Sequence, residues 1–296
     1  MVLNMIKITI FILLTGLGMV GNIFVFVNYM CVSCMDPGKK PIRLILIHLT
    51  ITNVIMLFSK GMPKTVAEFG LENFLNDTGC KIVACLERVA RGLSICTSSL
   101  LTVVQAITLS PRHSRWRRLK LKNPWHILLF FLFFWILNLL ISINLIRSIL
   151  SRSKNTSQSS KSDKYCYFLL KIRGENWLFL IFMALRDTMF LVVMGGASVY
   201  MVLLLHTHHQ RVLHLQNKFL RKAPPEIRAA QSVLLLMLSF LFFYWTDCAI
   251  SLYVTLSLEK DFLAVSVREF LTLGYTIVSP FVLIHRDGHL AEYWHA

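Results

Sequence analysis

Ser94-Ile-Cys-Thr-Ser-Ser-Leu-Leu-Thr-Val-Val-Gln-Ala-Ile-Thr-Leu-Ser110-Pro111 is uncharged and mostly apolar, and it runs straight into the basic block Arg112-His-Ser-Arg-Trp-Arg-Arg-Leu-Lys120. Upstream, inside the same apolar segment, stand Glu87, Arg88 and Arg91. An apolar run that carries a few ionisable groups and is closed at one end by positive charge reads as a functional membrane helix. The fold follows from this reading because the apolar part of the pattern recurs along the chain.

Apolar residues make up 55% of the 296 positions and charged residues only 16%, against about 25% charged in soluble domains. The apolar residues gather in blocks of about 20, the length that crosses a hydrocarbon core of about 30 Å. Seven such spans are expected, at about 6–29, 42–61, 81–109, 127–147, 177–205, 229–257 and 262–284. The fold class is therefore an all-α membrane protein, a seven-transmembrane helix bundle in one domain over 1–296. A β-barrel is excluded because its strands alternate apolar and polar residues, and these blocks do not. No cleavable signal is expected; the first span serves as its own insertion signal.

The net charge of +16 would suit a nucleic-acid partner only if it formed a basic face on a soluble fold. Here the positive residues lie between apolar blocks, so no nucleic-acid partner is expected. Lys39, Lys40 and Arg43 occupy the first connection; Arg112, Arg115, Arg117, Arg118, Lys120 and Lys122 the third; Arg211, Lys218, Arg221, Lys222 and Arg228 the fifth. The second and sixth mix signs, with Lys64, Glu68, Glu72 and Asp77 in one and Glu259, Lys260 and Asp261 in the other. The positive-inside rule puts the odd connections in the cytoplasm and the N-terminus outside. The fourth connection is basic yet alternates to the outside, and its Asn155-Thr156-Ser157 glycosylation sequon agrees. A second sequon, Asn76-Asp77-Thr78, also falls outside, close against the third span.

This topology sorts the seven cysteines. Cys80 at the outer end of the third span and Cys166 in the fourth connection share an oxidising side, and a bridge between them would tie that loop over the bundle. Cys85, Cys96 and Cys248 read as apolar packers inside spans. Cys31 and Cys34 end the first span as a Cys-x-x-Cys without a second ligand pair, which is weak evidence for zinc. Inert thiols or reversible acylation remain for them. His206, His208, His209 and His214 crowd the inner end of the fifth span, where electrostatics alone accounts for them, so no metal site is expected. Enzyme motifs, a catalytic constellation and a cofactor fingerprint are missing, and neither activity nor cofactor is expected.

Charges inside spans are costly and face the bundle interior. They are Glu87, Arg88 and Arg91 on the third span, Arg186 and Asp187 on the fifth and Asp247 on the sixth. Glu87 and Arg91 are four apart and can pair along one helix face. Two readings stand side by side for them, a structural ion-pair network or contact with a ligand; Arg88, Arg186, Asp187 and Asp247 read as structural.

Several motifs together resemble the vomeronasal type 1 receptors, seven-helix G-protein-coupled pheromone receptors. They are Arg88-Val-Ala-Arg-Gly-Leu-Ser-Ile-Cys-Thr97 with Leu100-Leu-Thr-Val-Val-Gln-Ala-Ile-Thr-Leu-Ser-Pro111, Lys122-Asn-Pro-Trp-His126, His208-His-Gln-Arg-Val-Leu-His-Leu215, Pro225-Glu-Ile-Arg-Ala-Ala-Gln-Ser232 and Ser279-Pro-Phe-Val-Leu283. Gly21-Asn22 of the wider rhodopsin-like pattern is kept, while Asp-Arg-Tyr, the sixth-helix proline and Asn-Pro are replaced. The resemblance covers nearly the whole chain. It implies a plasma-membrane, multi-pass chemosensory receptor for a pheromone or other small odorous ligand, signalling to a heterotrimeric G protein. The ligand is expected between the third, fifth, sixth and seventh helices, near Glu87, Arg91, Tyr253 and Tyr275. Arg112, Arg115, Arg117, Arg118, His209 and Arg211 are the candidates facing the G protein. Topology and attraction to anionic lipid, worth about 1 kcal/mol per basic residue near the surface, also account for these loops. The rival readings are a bitter-taste-type receptor and a small-solute transporter or channel using the intramembrane charges as a path.

Overall fold

The computed structural model describes residues 2–35, 40–69, 75–111, 124–146, 149–150, 161–162, 167–168, 175–215, 225–256 and 262–286. Its helices are α1 (Val2–Met35), α2 (Lys40–Met56), α3 (Met62–Glu68), α4 (Asp77–Leu109), α5 (Pro124–Ile146), α6 (Glu175–Leu215), α7 (Pro225–Leu256) and α8 (Phe262–Arg286). A wide helical turn at Leu57–Gly61 joins α2 to α3, so that the described residues contain seven apolar spans of membrane length. Three two-residue antiparallel strands, β1 (Ile149–Leu150), β2 (Lys161–Ser162) and β3 (Tyr167–Phe168), form a sheet in the order β1-β3-β2 between α5 and α6. β1 packs against α4.

α4 is the axis. It packs against α2, α5, α6 and α7, and 78% of its most apolar window is buried, against 17% for α6. Asn76 caps its start, where Oδ1 accepts from Gly79 N–H at 2.9 Å. Its end is set by Pro111, which disfavours helical geometry in the residue before it, and Ser110 is extended (ψ 140°). α5 presents Leu129, Leu132, Phe133, Ile136 and Leu140 on its exposed side, as a helix bordering hydrocarbon rather than water must.

The second span differs from its sequence reading. That reading ends near Gly61 and leaves Lys64 in a connection, whereas the helix continues through α3 and Lys64 is buried. Pro63 has no N–H to give to the carbonyl four residues back, and its ring crowds that position in a regular helix. The wide turn over Leu57–Gly61 takes up this misfit and the helix resumes beyond it.

A second proline has a different remedy. Pro280 lies inside α8 and cannot bond the carbonyl of Thr276. Asn22 on α1 donates from Nδ2 to that carbonyl at 2.8 Å, while Gly21 lets α1 approach so closely that an added Cβ would lie 3.1 Å from the Pro280 ring. Asn53 on α2 completes the cluster, donating to Ser279 Oγ at 2.8 Å and to Asn22 Oδ1 at 3.1 Å. The Gly21-Asn22 and Ser279-Pro280 pairs, far apart in sequence, are thus two halves of one junction.

Candidate functional site

The half of the bundle nearer Cys80 holds a layer of paired charges. Lys60 Nζ donates to Glu87 Oε1 at 3.0 Å, joining the wide turn of the second span to α4. Lys64 pairs with Glu269 on α8 and lies 4.9 Å from the centre of the Phe11 ring. Arg91 donates to Asp247 Oδ2 at 2.8 Å, joining α4 to α7. The Arg91 guanidinium also stands 5.6 Å from the Tyr244 ring centre, within the range of a cation–π contact. Arg186 donates to its neighbour Asp187 at 2.6 and 2.8 Å and to Asn138 Oδ1 on α5 at 2.7 Å, and Tyr244 donates to Asp187 Oδ2 at 3.1 Å. Each of these carboxylates meets a cation, the arrangement that makes buried charge tolerable.

Asp247 has partners beyond Arg91. Thr272 donates to its Oδ1 at 2.9 Å, and Arg268 Nε stands 4.0 Å from the same oxygen. Both come from α8, so this one carboxylate gathers α4, α7 and α8.

Directly beneath lies a cavity of about 50 Å³. Arg91, Ser94, Phe243, Asp247, Thr272 and Tyr275 are among its walls. Ser94 is buried and its Oγ is among the few buried polar atoms of the described residues that lack a hydrogen-bond partner. An unpaired buried hydroxyl costs about 1–3 kcal/mol, so the wall holds a polar group ready to be satisfied. Apart from Thr276, whose hydroxyl donates to the Leu273 carbonyl, the remaining lining is aromatic and aliphatic, which gives a small, mostly apolar chamber with polar anchors at its top and side.

From the floor of the chamber polar contacts continue toward the other end of the bundle. Tyr275 OH lies 3.0 Å from Ser98 Oγ and its ring meets Phe240 edge-on at 4.7 Å. The Asn22–Asn53–Ser279 junction follows, and at the far end of α4 Ser110 Oγ lies 3.0 Å from Tyr200 OH on α6. To one side, His48 Nδ1 lies 2.9 Å from Thr97 Oγ1, while Trp135 donates to His48 Nε2 at 3.1 Å. That acceptor role leaves the imidazole proton on Nδ1, facing the threonine.

The candidates read from the sequence are distributed unevenly over this geometry. Arg91 and Tyr275 line the chamber. Glu87 and Arg91 do not pair with each other; each finds a partner on another helix, because interhelical partners face the bundle interior while a same-helix pair would leave those partners uncompensated. Asp247 is both a partner of Arg91 and a wall of the chamber. Arg88 approaches the Met183 sulfur at 3.3 Å. Tyr253 is 52% exposed on α7 and is not among the chamber's walls. Cys80 is buried and disulfide-bonded, while Cys166 and Asn155 lie outside the described residues, as do Arg112, Arg115, Arg117 and Arg118. His209 and Arg211 belong to α6, with side chains outside the description.

Sequence reasoning missed Lys60, Arg268 and Glu269, although they fall within the second and seventh apolar spans and so belong to the same class of intramembrane charge. A count of every ionisable residue in those spans finds them. Ser94, Tyr244 and Thr272 carried no such signal, since hydroxyl groups are common in membrane helices and only the packing shows which face a void.

Residues 4–296 match the model of the vomeronasal organ pheromone receptor family. The chain is 34% identical to human vomeronasal type-1 receptor 4 over 275 residues, covering 92% of this chain and 91% of the relative. It is 28% identical over 282 residues to the Danio rerio olfactory receptor class A-like protein 1, covering 95% and 89%. The crystal structure of squid rhodopsin superposes with a TM-score of 0.75 at 13% identity, over 98% of this chain and 84% of that one.

Proposed function

The chain belongs to the vomeronasal type 1 receptor family, and we propose that its ligand occupies the chamber between α4, α7 and α8 beneath the Arg91–Asp247 pair. The protein is a chemosensory G-protein-coupled receptor, a multi-pass protein of the plasma membrane and not an enzyme. In this proposal the N-terminus and the Cys80 end face outside, and the Ser110 end faces the G protein. A Cys80–Cys166 bridge holds the loop bearing β1 to β3 over the chamber, with Asn155 glycosylated on the same side.

The observation that carries the site is the unpartnered Ser94 hydroxyl in a chamber roofed by an ion pair. A small, largely apolar molecule with an acceptor oxygen satisfies Ser94 and competes with Asp247 for Arg91. Asp247 then keeps Thr272 and draws on Arg268, both on α8, so neither charge is left alone. A cationic ligand at Asp247 would instead strand Arg91, which is the costlier exchange.

At about 50 Å³ the chamber is far smaller than the roughly 300–1,000 Å³ of pockets that hold drug-sized ligands. Occupancy therefore requires α7 and α8 to move away from α4. A ligand that binds the expanded arrangement better shifts the population toward it, and a movement of α8 acts on the contacts of its Tyr275 with Ser98 on α4 and of its Ser279 with Asn53 on α2. The basic third connection, with Arg112, Arg115, Arg117 and Arg118, and the end of α6, with His209 and Arg211, then meet the G protein.

Nucleotide exchange on heterotrimeric G proteins, in membranes from cells expressing the chain, tests the reading against volatile and steroid-like compounds. Ser94→Ala and Arg91→Gln should each weaken potency about tenfold or more, equivalent to about 1.4 kcal/mol. Tyr253→Phe, exposed and outside the chamber, should change it by about twofold at most. Unaltered potency in the first two variants at matched surface expression would remove the ligand from this chamber.

A further inference from the structure

One motif plays no part in the receptor site. Cys31 and Cys34 stand at the end of α1, both exposed and both free. They are three residues apart and continue a row of exposed apolar side chains that climbs the helix through Leu17, Val20, Phe24 and Val27. The spacing of that row alternates between three and four residues, which is one face of an α-helix. Since the row faces hydrocarbon, the two thiols sit on the lipid side of α1 and not toward α2 or α8. The apolar span of α1 runs Ile8–Cys34 over 27 residues, about 40 Å at 1.5 Å per residue, which exceeds a core of about 30 Å. The thiols therefore fall at the border between hydrocarbon and headgroups. Polar and basic groups mark that border, with Arg43 on α2 donating to the Val32 carbonyl at 2.7 Å.

We propose that Cys31 and Cys34 are a site of S-acylation, taking long-chain fatty acyl groups from acyl-coenzyme A on the cytoplasmic side of the membrane. This rests on the orientation given above, in which the N-terminus is outside. In the transfer a cysteine sulfur attacks the thioester carbonyl, a new carbon–sulfur bond forms and the bond to coenzyme A breaks. The cysteine proton leaves with the coenzyme A thiol, and nothing is oxidised or reduced. A chain attached at this point lies along the row of apolar side chains with its thioester at the headgroup level. Transfer of this kind occurs at juxtamembrane cysteines. The end of α1 thus offers a pair of thiols at the membrane border. Acylation widens the apolar surface of α1 and holds its end at a fixed depth, which opposes tilting of a span longer than the membrane.

The full chain, expressed in cells fed an alkynyl palmitate, should carry a label that hydroxylamine removes. Normalised to receptor protein, the label should fall to background in Cys31→Ser/Cys34→Ser and in Cys31→Ala/Cys34→Ala, with each single variant retaining part of it; Cys248→Ser should leave it unchanged. An impermeant maleimide separates the two premises. Reaction at these cysteines in intact cells would overturn the orientation and the proposal with it. Reaction only after permeabilisation, without hydroxylamine and with no palmitate label, would leave the orientation standing and overturn the acylation. A label that persists in both double variants would also overturn it.

Discussion

Arg91 on α4 and Asp247 on α7 are 156 residues apart in sequence and meet at 2.8 Å across the roof of the chamber. The pair is asymmetric. The Asp247 side chain is 4% exposed and has further partners on α8, whereas that of Arg91 is 31% exposed and has one carboxylate within bonding distance among the described residues. Removing one member of a buried pair costs about 3–5 kcal/mol because the other is left uncompensated, and the partial exposure of Arg91 lowers that figure. Asp247→Asn and Arg91→Gln should both loosen α4 from α7 and raise ligand-free nucleotide exchange. Exchanging the charges in Arg91→Asp/Asp247→Arg should return it toward the starting level. Equal basal exchange in all four chains, normalised to surface protein, would deny the pair any role in holding the inactive arrangement.

Glu87 offers a test between structure and ligand contact. Lys60 holds its carboxylate at 3.0 Å, and Glu87 is not a wall of the chamber. Glu87→Gln should therefore destabilise the fold while leaving potency almost unchanged. The double variant Lys60→Met/Glu87→Gln should recover part of the lost thermal stability, since the stranded ammonium is gone. Thermal unfolding of purified receptor reads the first effect and ligand titration the second; a large potency loss without a stability loss would make Glu87 a ligand contact.

Gly92 tests the packing behind the charges. A Cβ at this position would overlap Asn138 Oδ1 and Arg186 Nη1, so Gly92→Ala must break the bond that ties α5 to α6 across α4. Overpacking of this kind costs about 1–3 kcal/mol. Gly196→Ala on α6, with nothing within 4 Å of its added carbon, should be neutral or stabilising by up to about 1 kcal/mol, since alanine loses less backbone freedom than glycine in a helix. Melting temperatures of the two variants check the contrast, and equal values would contradict the described packing.

The proline junction predicts a rescue. Asn22→Ala removes the donor to the Thr276 carbonyl and should cost about 1–3 kcal/mol for the unsatisfied group. Pro280→Ala in that background restores a backbone N–H to the same carbonyl. The double variant should therefore be more stable than Asn22→Ala alone, and a melting temperature at or below that of the single variant would refute the pairing.

What was legible in the chain differs between levels for a physical reason. Apolar blocks of bilayer length with charges between them specify seven helices, because in a membrane a block without the apolar–polar alternation of barrel strands satisfies its backbone hydrogen bonds only as a helix. The motifs around Arg88 to Pro111 and Pro225 to Ser232 carry the family likewise, being local strings. Glu87 and Arg91 were visible as costly charges that need partners. Their partners were not, since the sequence offers several carboxylates and cations at similar depth, Lys60, Arg268 and Glu269 among them.

The sequence by itself determined the class, the seven spans and the existence of a buried ionic layer, all of which follow from transfer free energies summed along one helix. Only the tertiary structure decided that Arg91 turns to Asp247 and Glu87 to Lys60. The same holds for Asn22, which answers the carbonyl orphaned by Pro280, and for Ser94, which is left facing a void. Those outcomes depend on which faces of different helices meet, and a single helix's pattern fixes a face but not its neighbour across the bundle.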